Sequence, residues 1–132
     1  MTNTEKREKN RLKNIKWRKL NKEKYIKSAT DYRSNHPDRI TEYKLKTKYG
    51  ITLEDYNLLL IEQNNCCDIC KKPEKAIHNQ TKKLQKLAVD HCHKTGKVRG
   101  LLCQDCNRGI GKFNENIEIM KNAIEYIIKH NI

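Results

Sequence analysis

Two Cys-x-x-Cys pairs, Cys67 with Cys70 and Cys103 with Cys106, stand 32 residues apart, and a second polar set lies beside the latter pair: Asp90, His91, His93 and Asn107. A Cys-x-x-Cys turn presents two thiolates to one point, and two such turns supply the tetrahedral sulfur set that zinc prefers. Four cysteines leave no open position on the ion, so zinc here is expected to be structural, contributing on the order of 10 kcal/mol to folding. Cys66 and Cys92 remain over. Cys66 adjoins the first pair, but Cys67 keeps the spacing to Cys70; Cys92 is either a further ligand or a small packing residue.

The second set has different chemistry. The Asp90 carboxylate and the Asn107 amide oxygen are hard donors of the kind that hold Mg²⁺ or Mn²⁺ alongside water and phosphate. His91, with a reference pKa of about 6.5 for an imidazole, can take a proton from water near neutral pH. In a helical first turn residue 107 points about 100° away from residue 106, so zinc on Cys106 would aim Asn107 at a different neighbour. Together these groups point to phosphodiester hydrolysis.

The elements that must position them follow from pattern. Residues 87–93 and 97–102 read as two strands joined by the Lys94-Thr95-Gly96 turn. A regular strand would send Asp90 and His91 to opposite faces, so a twist or bulge is expected there. Residues 103–112 start a helix interrupted by Gly109 and Gly111, and residues 116–130 form a last helix. Ile117, Met120, Ile124, Ile127 and Ile128 line one face of that helix as core, and Glu115 and Glu118 suit its N-terminal dipole. Before the cysteines, Thr52 and Asp55 make a capping box, and Leu53, Tyr56, Leu59 and Leu60 form an apolar stripe. Residues 71–85 read as a basic loop.

The remaining third of the chain is Lys, Arg, Asn and Tyr without a clean apolar period. Residues 1–50 carry 16 Lys+Arg against 6 Asp+Glu, whereas residues 51–132 carry 13 against 10, out of a net charge of +13. Two or three short basic helices joined by bends are expected, with Pro37 in a helical first turn. A faint echo relates "WRKLNKEKY" (17–25) to "YRSNHPDRI" (32–40). The boundary is placed at Gly50, giving a basic helical arm over 1–50, with Arg18 and Arg33 among its phosphate contacts, and a zinc-stapled domain over 51–132. No apolar signal segment or membrane-length run occurs, so a reducing cytoplasm is expected and a membrane partner is not.

At "KYGITLEDYNLLLIEQNNCC", "CDIC" and "VDHCHKTGKVRGLLCQDCN" the chain resembles the recombination endonuclease VII family, within the wider HNH or ββα-metal nucleases. The resemblance covers about residues 48–112. It implies a small α+β fold: a ββα-metal core with a four-cysteine structural zinc site, flanking helices and a basic N-terminal arm. It implies a DNA endonuclease of a bacterial or phage-infected cell, leaving 5′-phosphate and 3′-hydroxyl ends, with DNA as partner and a homodimer as one available state. Carried over, Asp90 and Asn107 hold the catalytic cation, His91 activates water, and His93 acts on phosphate or in the cation's outer shell, a structural hydrogen bond being its other reading. Arg99 and Lys97 would meet phosphate, with a plain salt bridge as the alternative for Arg99. Two positions depart from the family pattern: Cys92 stands where an acid is common, and Ile110 stands three residues after Asn107 where an acid occurs. A non-catalytic zinc module that binds nucleic acid is the rival function.

Overall fold

The computed structural model describes residues 1–131. Among the described residues there are six helices and one two-stranded sheet, and these residues divide into two compact units, Met1–Tyr43 and a second that starts at Lys44. No described helix is long and apolar enough to cross a membrane.

The first unit is built from local rules alone. Helix α1 (Asn3–Leu20) starts on a capping box in which Thr2 and Glu5 satisfy each other's backbone N–H groups. It ends at Asn21, and α2 (Lys22–Asn35) follows directly. After a break at His36, α3 (Pro37–Tyr49) begins on the residue whose fixed φ suits a first helical position. These are the short helices joined by bends that the composition suggests. Neither α1 nor α2 buries a described side chain.

The division falls between Tyr43 and Lys44, ahead of Gly50, because Leu45 is already part of the second unit's core and Tyr49 packs against it. Gly50, at φ +70°, is a turn within that unit. Helix α4 (Leu53–Glu62) opens on the Thr52–Asp55 capping box, with Thr52 N donating to Asp55 Oδ2 at 2.8 Å and Asp55 N to Thr52 Oγ1 at 3.0 Å. Its stripe packs inward: Tyr56 is buried, and Leu53, Leu59 and Leu60 flank the core. The Tyr56 hydroxyl donates to the Leu87 carbonyl at 2.8 Å, fixing α4 to the lead-in of the hairpin; burial pushes that phenol up to about 12.

The hairpin pairs β1 (Ala88–His91) with β2 (Val98–Leu102) in antiparallel register, Ala88 opposite Leu102 and Asp90 opposite Gly100. Gln63, just past α4, closes β2's outer edge: its Nε2 donates to the Leu101 and Cys66 carbonyls at 2.8 and 2.9 Å, while its Oε1 accepts from Leu101 N at 2.9 Å. A β-carbon on Gly100 would lie 3.2 Å from that Oε1, so the tight approach suits a residue without one.

Helix α5 (Gln104–Lys112) follows β2 at once and runs unbroken through Gly109 and Gly111, which the sequence reading takes as interruptions. Each glycine costs about 1 kcal/mol relative to alanine in a helix interior. The start of α5 is held strongly enough to absorb this: Glu74, from the preceding loop, accepts from Gln104 N at 2.8 Å, and Cys103 caps the turn by accepting from Cys106 N at 3.5 Å. Burial raises the Glu74 carboxyl, but hydrogen bonds from the Ala76, Gln104 and Lys75 amides outweigh it and bring the group below its usual range. Helix α6 (Ile117–His130) is capped by Asn116 and departs from the expectation. Its apolar face is not core: Ile117, Ile124, Ile127 and Ile128 are 58–70% exposed, because the small apolar layer is already enclosed by α4, the hairpin and α5.

Cys67, Cys70, Cys103 and Cys106 bring their sulfurs within 4.8 Å of one another, with Cys70 and Cys103 at 3.8 Å. A tetrahedral ion with bonds of about 2.3 Å requires sulfurs about 3.8 Å apart, so this donor set fits zinc. Cys66 lies outside the cluster, in keeping with the spacing argument. Burial raises the Cys67 thiol, but hydrogen bonds from the neighbouring Cys103, Cys70 and Ile69 outweigh it and bring Cys67 down to about 7; burial and the adjacent thiols drive Cys106 up to about 12. A dication at the centre would favour the deprotonated form of all four.

Two outcomes are expected. The chain should purify with one zinc per molecule, and Cys70→Ser should lose both the metal and cooperative unfolding, read by metal analysis and urea melts; a zinc-free variant melting like wild type would remove the cage from the account. Gln63→Ala should cost about 1–3 kcal/mol by the same melts, because it strands the buried Leu101 amide.

Candidate active site

The register slips between Asp90 and His91, since Asp90 pairs with Gly100 but His91 pairs with Val98. Arg99 is therefore the extra residue on β2. A bulge bends its own strand and re-aims the side chains there, so it is Arg99 that is turned, while Asp90 and His91 lie on the partner strand. An irregularity is present at this point of the hairpin, but its extra residue is an arginine on β2 and not on the strand that carries Asp90 and His91, where the sequence places it.

That arginine folds back over the hairpin. Its Nε and Nη2 donate to Asp90 Oδ2 and Oδ1 at 2.6 and 2.9 Å, a bidentate fork, and its Nη1 donates to Glu115 Oε2 at 3.0 Å. Asp90 is only 9% exposed, and a carboxylate so enclosed needs a paired charge. Hydrogen bonds to Asp90 first and Glu115 second hold the guanidinium firmly charged. The other Glu115 oxygen lies 3.1 Å from His93 Nδ1. A continuous polar chain thus runs Asp90, Arg99, Glu115, His93. Arg99 is thus in a salt bridge with Asp90, and His93 stands beside the Glu115 carboxylate.

Glu115 does not serve the dipole of α6 as the sequence suggests. Asn114 and Glu115 both adopt left-handed φ, +51° and +54°, after α5 ends at Phe113. Such backbone is uncommon outside glycine, and two such residues in succession turn the chain sharply enough to return the Glu115 carboxylate to the hairpin. No sequence motif marks this. The one available signal is the "FNEN" stretch, where asparagines flank the acid and left-handed backbone is tolerated best.

His91 stands on the other side of the bulge. It is half-buried, with its ring edge-on to Tyr49 at 5.3 Å and to His93 at 5.0 Å between centroids. Sequence reasoning does not single out Tyr49; it arrives because Gly50 turns the end of α3 back toward the hairpin. Asn107 is half-buried on the first turn of α5, its backbone amide donating to the Cys103 carbonyl at 3.0 Å, and α5 packs on β1. Cys92 falls in the hairpin turn, not on a packed strand face; hydrogen bonds with Thr95 lower its thiol. Lys97 is exposed beside that turn. Arg18 and Arg33 are exposed on α1 and α2.

A cleft of about 330 Å³ reaches Asp90 and Arg99 from the side of α6, walled by Ile110, Glu115, Ile117 and Met120. His91 and Asn107 do not line it. The donor set suits a hard cation: Asp90, Arg99 and Glu115 together carry one net negative charge, and each Asp90 oxygen retains a lone pair beyond the one that meets Arg99.

The sequence model of recombination endonuclease VII matches residues 42–129. The chain is 40% identical over 89 residues to the Gene 59 protein of Mycobacterium phage D29, covering 67% of this chain and 50% of that protein. It is 38% identical over 99 residues to the Gene 59 protein of Mycobacterium phage L5, covering 74% and 56%. The chain therefore spans about half the length of the curated relatives it matches. No solved structure matches it. With four sulfurs gathered beside a bulged hairpin that carries Asp90 and His91, and a family match over most of its second unit, this chain belongs to the recombination endonuclease VII family.

Proposed function

We propose that the chain is a metal-dependent DNA endonuclease with an HNH-type centre, acting in the cytoplasm of a phage-infected cell, with residues 1–50 as its DNA-binding arm. The observation that carries the reading is a strand of a nuclease-family chain on which a buried carboxylate, Asp90, stands next to a half-buried imidazole, His91.

In this reading Asp90 and Asn107 would hold Mg²⁺ or Mn²⁺, which when bound supplies charge neutralisation at the scissile phosphate and the departing 3′ oxygen. His91 accepts the proton of a water as its oxygen forms a bond to phosphorus. The bond to the 3′ oxygen breaks in line, and that oxygen leaves as an alkoxide that takes a proton from solvent water to become the 3′-hydroxyl, opposite a 5′-phosphate. Tyr49 and His93, packed edge-on, limit the rotation of the His91 ring. Were a cation held at Asp90, Arg99 would stay tied to Glu115 through Nη1, leaving Nε and Nη2 to pair bidentately with phosphate alongside Lys97 and His93. One site nicks one strand. Cutting both strands together would take two copies, as in a homodimer.

One observation favours the rival, a zinc module that binds nucleic acid without cutting it: both Asp90 oxygens are occupied by Arg99, as in a purely structural ion pair. A plasmid-nicking assay separates the two. Wild-type protein should nick with Mg²⁺ and not without it, and His91→Ala should fall by about 100-fold or more while keeping zinc and DNA affinity. Asn107→Ala should fall similarly, with partial recovery at raised Mn²⁺. Unchanged nicking by folded His91→Ala would overturn the assignment of the base, and no nicking by zinc-loaded wild type under any divalent cation would establish the rival.

A further inference from the structure

The arm's first helix is not uniformly basic. At 100° per residue, every arginine of α1 (Arg7, Arg11, Arg18) and every asparagine (Asn3, Asn10, Asn14) falls within about 100° of arc. Four of its five lysines, Lys6, Lys9, Lys13 and Lys16, fall in a separate arc of about 80°, centred about 130° away. Glu5 and Glu8 lie off the arginine and asparagine arc. Arg7, Asn10, Arg11, Asn14, Ile15 and Arg18 form one continuous exposed face.

This segregation has a chemical meaning. A sleeve that only neutralises phosphate has no use for sorting its cations by type, because lysine and arginine serve equally as charges. Arginine and asparagine are the side chains that pair bidentately with base edges in the major groove, arginine with guanine O6 and N7, asparagine with adenine N6 and N7. That groove is about 12 Å wide and admits a helix. From Arg7 to Arg18 the face runs about 16 Å, roughly five base pairs.

Resting on the DNA-endonuclease reading above, we propose that α1 is a base-reading helix: its arginine and asparagine face enters the major groove of duplex DNA while its lysine face lies along the flanking phosphates, so that the arm selects a sequence. Two contacts on that face are compatible with the role. Arg11 donates to Glu8 at 2.9 Å with both side chains more than half exposed, a surface pair that a base edge can replace. Arg18 lies 5.0 Å over the Tyr25 ring of α2, and with both residues exposed this is a surface contact that a base edge can likewise replace.

The test is a selection from a random duplex library with the full zinc-loaded chain, without Mg²⁺, followed by titration of the enriched duplex and a shuffled one. An enriched element of about five base pairs should emerge, rich in guanine and adenine on one strand and bound about tenfold or more tighter than the shuffled duplex. The charge-preserving Arg7→Lys/Arg11→Lys/Arg18→Lys protein should bind both duplexes as wild type binds the shuffled one. Lys6→Gln/Lys9→Gln/Lys13→Gln/Lys16→Gln should weaken both alike and make the log–log salt slope about 3.6 less steep. Absence of an enriched sequence, a preference that survives the triple lysine substitution, or tighter binding to the same library as RNA would each overturn base reading. Mg²⁺-dependent nicking of an arbitrary plasmid, measured in parallel, keeps the outcomes apart: nicking without enrichment refutes this inference alone, whereas neither nicking nor binding refutes the endonuclease reading beneath it.

Discussion

The fold turns on the closure of one helical turn over one knuckle through four sulfur atoms. Cys67 and Cys103 are buried among Leu45, Tyr56, Leu87, Val89, Leu101 and Leu102, and those eight residues make up the buried apolar core among the described residues. So small a layer offsets little of the conformational entropy of the unit that runs from Lys44 to the C-terminus. A zinc ion on the four sulfurs would add what the layer lacks, and it would act at the right place. Cys103 is both a ligand and the N-cap of α5, so the same atom that closes the cage fixes the direction in which α5 leaves the hairpin and therefore where Asn107 stands. Gln63 and Tyr56 then hold the hairpin from the other side, through the backbone of Leu101 and Leu87.

Around that frame the charges are arranged by exclusion. Buried Asp90 is paired because Arg99, the extra residue on β2, donates to both of its oxygens. Pairs of this kind seldom add much net stability, since the desolvation of two charges cancels most of their attraction, but removing either partner leaves a stranded ion. The pair thus fixes geometry more than it stabilises. Glu115 extends it to His93, and it reaches that position only through two successive left-handed residues. Backbone of this kind persists where the surroundings over-determine it, as the Arg99 ion pair and the His93 contact of Glu115 do here.

Much of this is legible in the sequence, and the division is physical. Features written in local spacing come through: the two Cys-x-x-Cys turns, the Thr52–Asp55 box, the hairpin with its Lys-Thr-Gly turn, the helix opening at Pro37, and the need for a bulge beside Asp90. Hidden from the sequence is the outcome of competition between distant groups. The apolar stripe of α6 reads as core by periodicity, yet the layer it would join is already full. Gly109 and Gly111 read as helix breakers, yet Glu74 and the cage anchor α5 against them. Glu115 reads as a dipole partner because its sharp backbone turn has no residue signature of its own. Arg99 is ambiguous between phosphate and carboxylate until the register identifies it as the bulged residue.

The bare surface of the arm has a thermodynamic corollary. Heat-capacity change on melting comes chiefly from apolar area newly wetted, and α1 and α2, which contain no buried residue, have less of it to expose than the second unit. Their loss of helix would pass nearly unseen in a calorimeter. The full chain should therefore give the thermogram of a protein roughly two-thirds its length, with the amides of the arm trading their hydrogens for deuterium long before those of the hairpin.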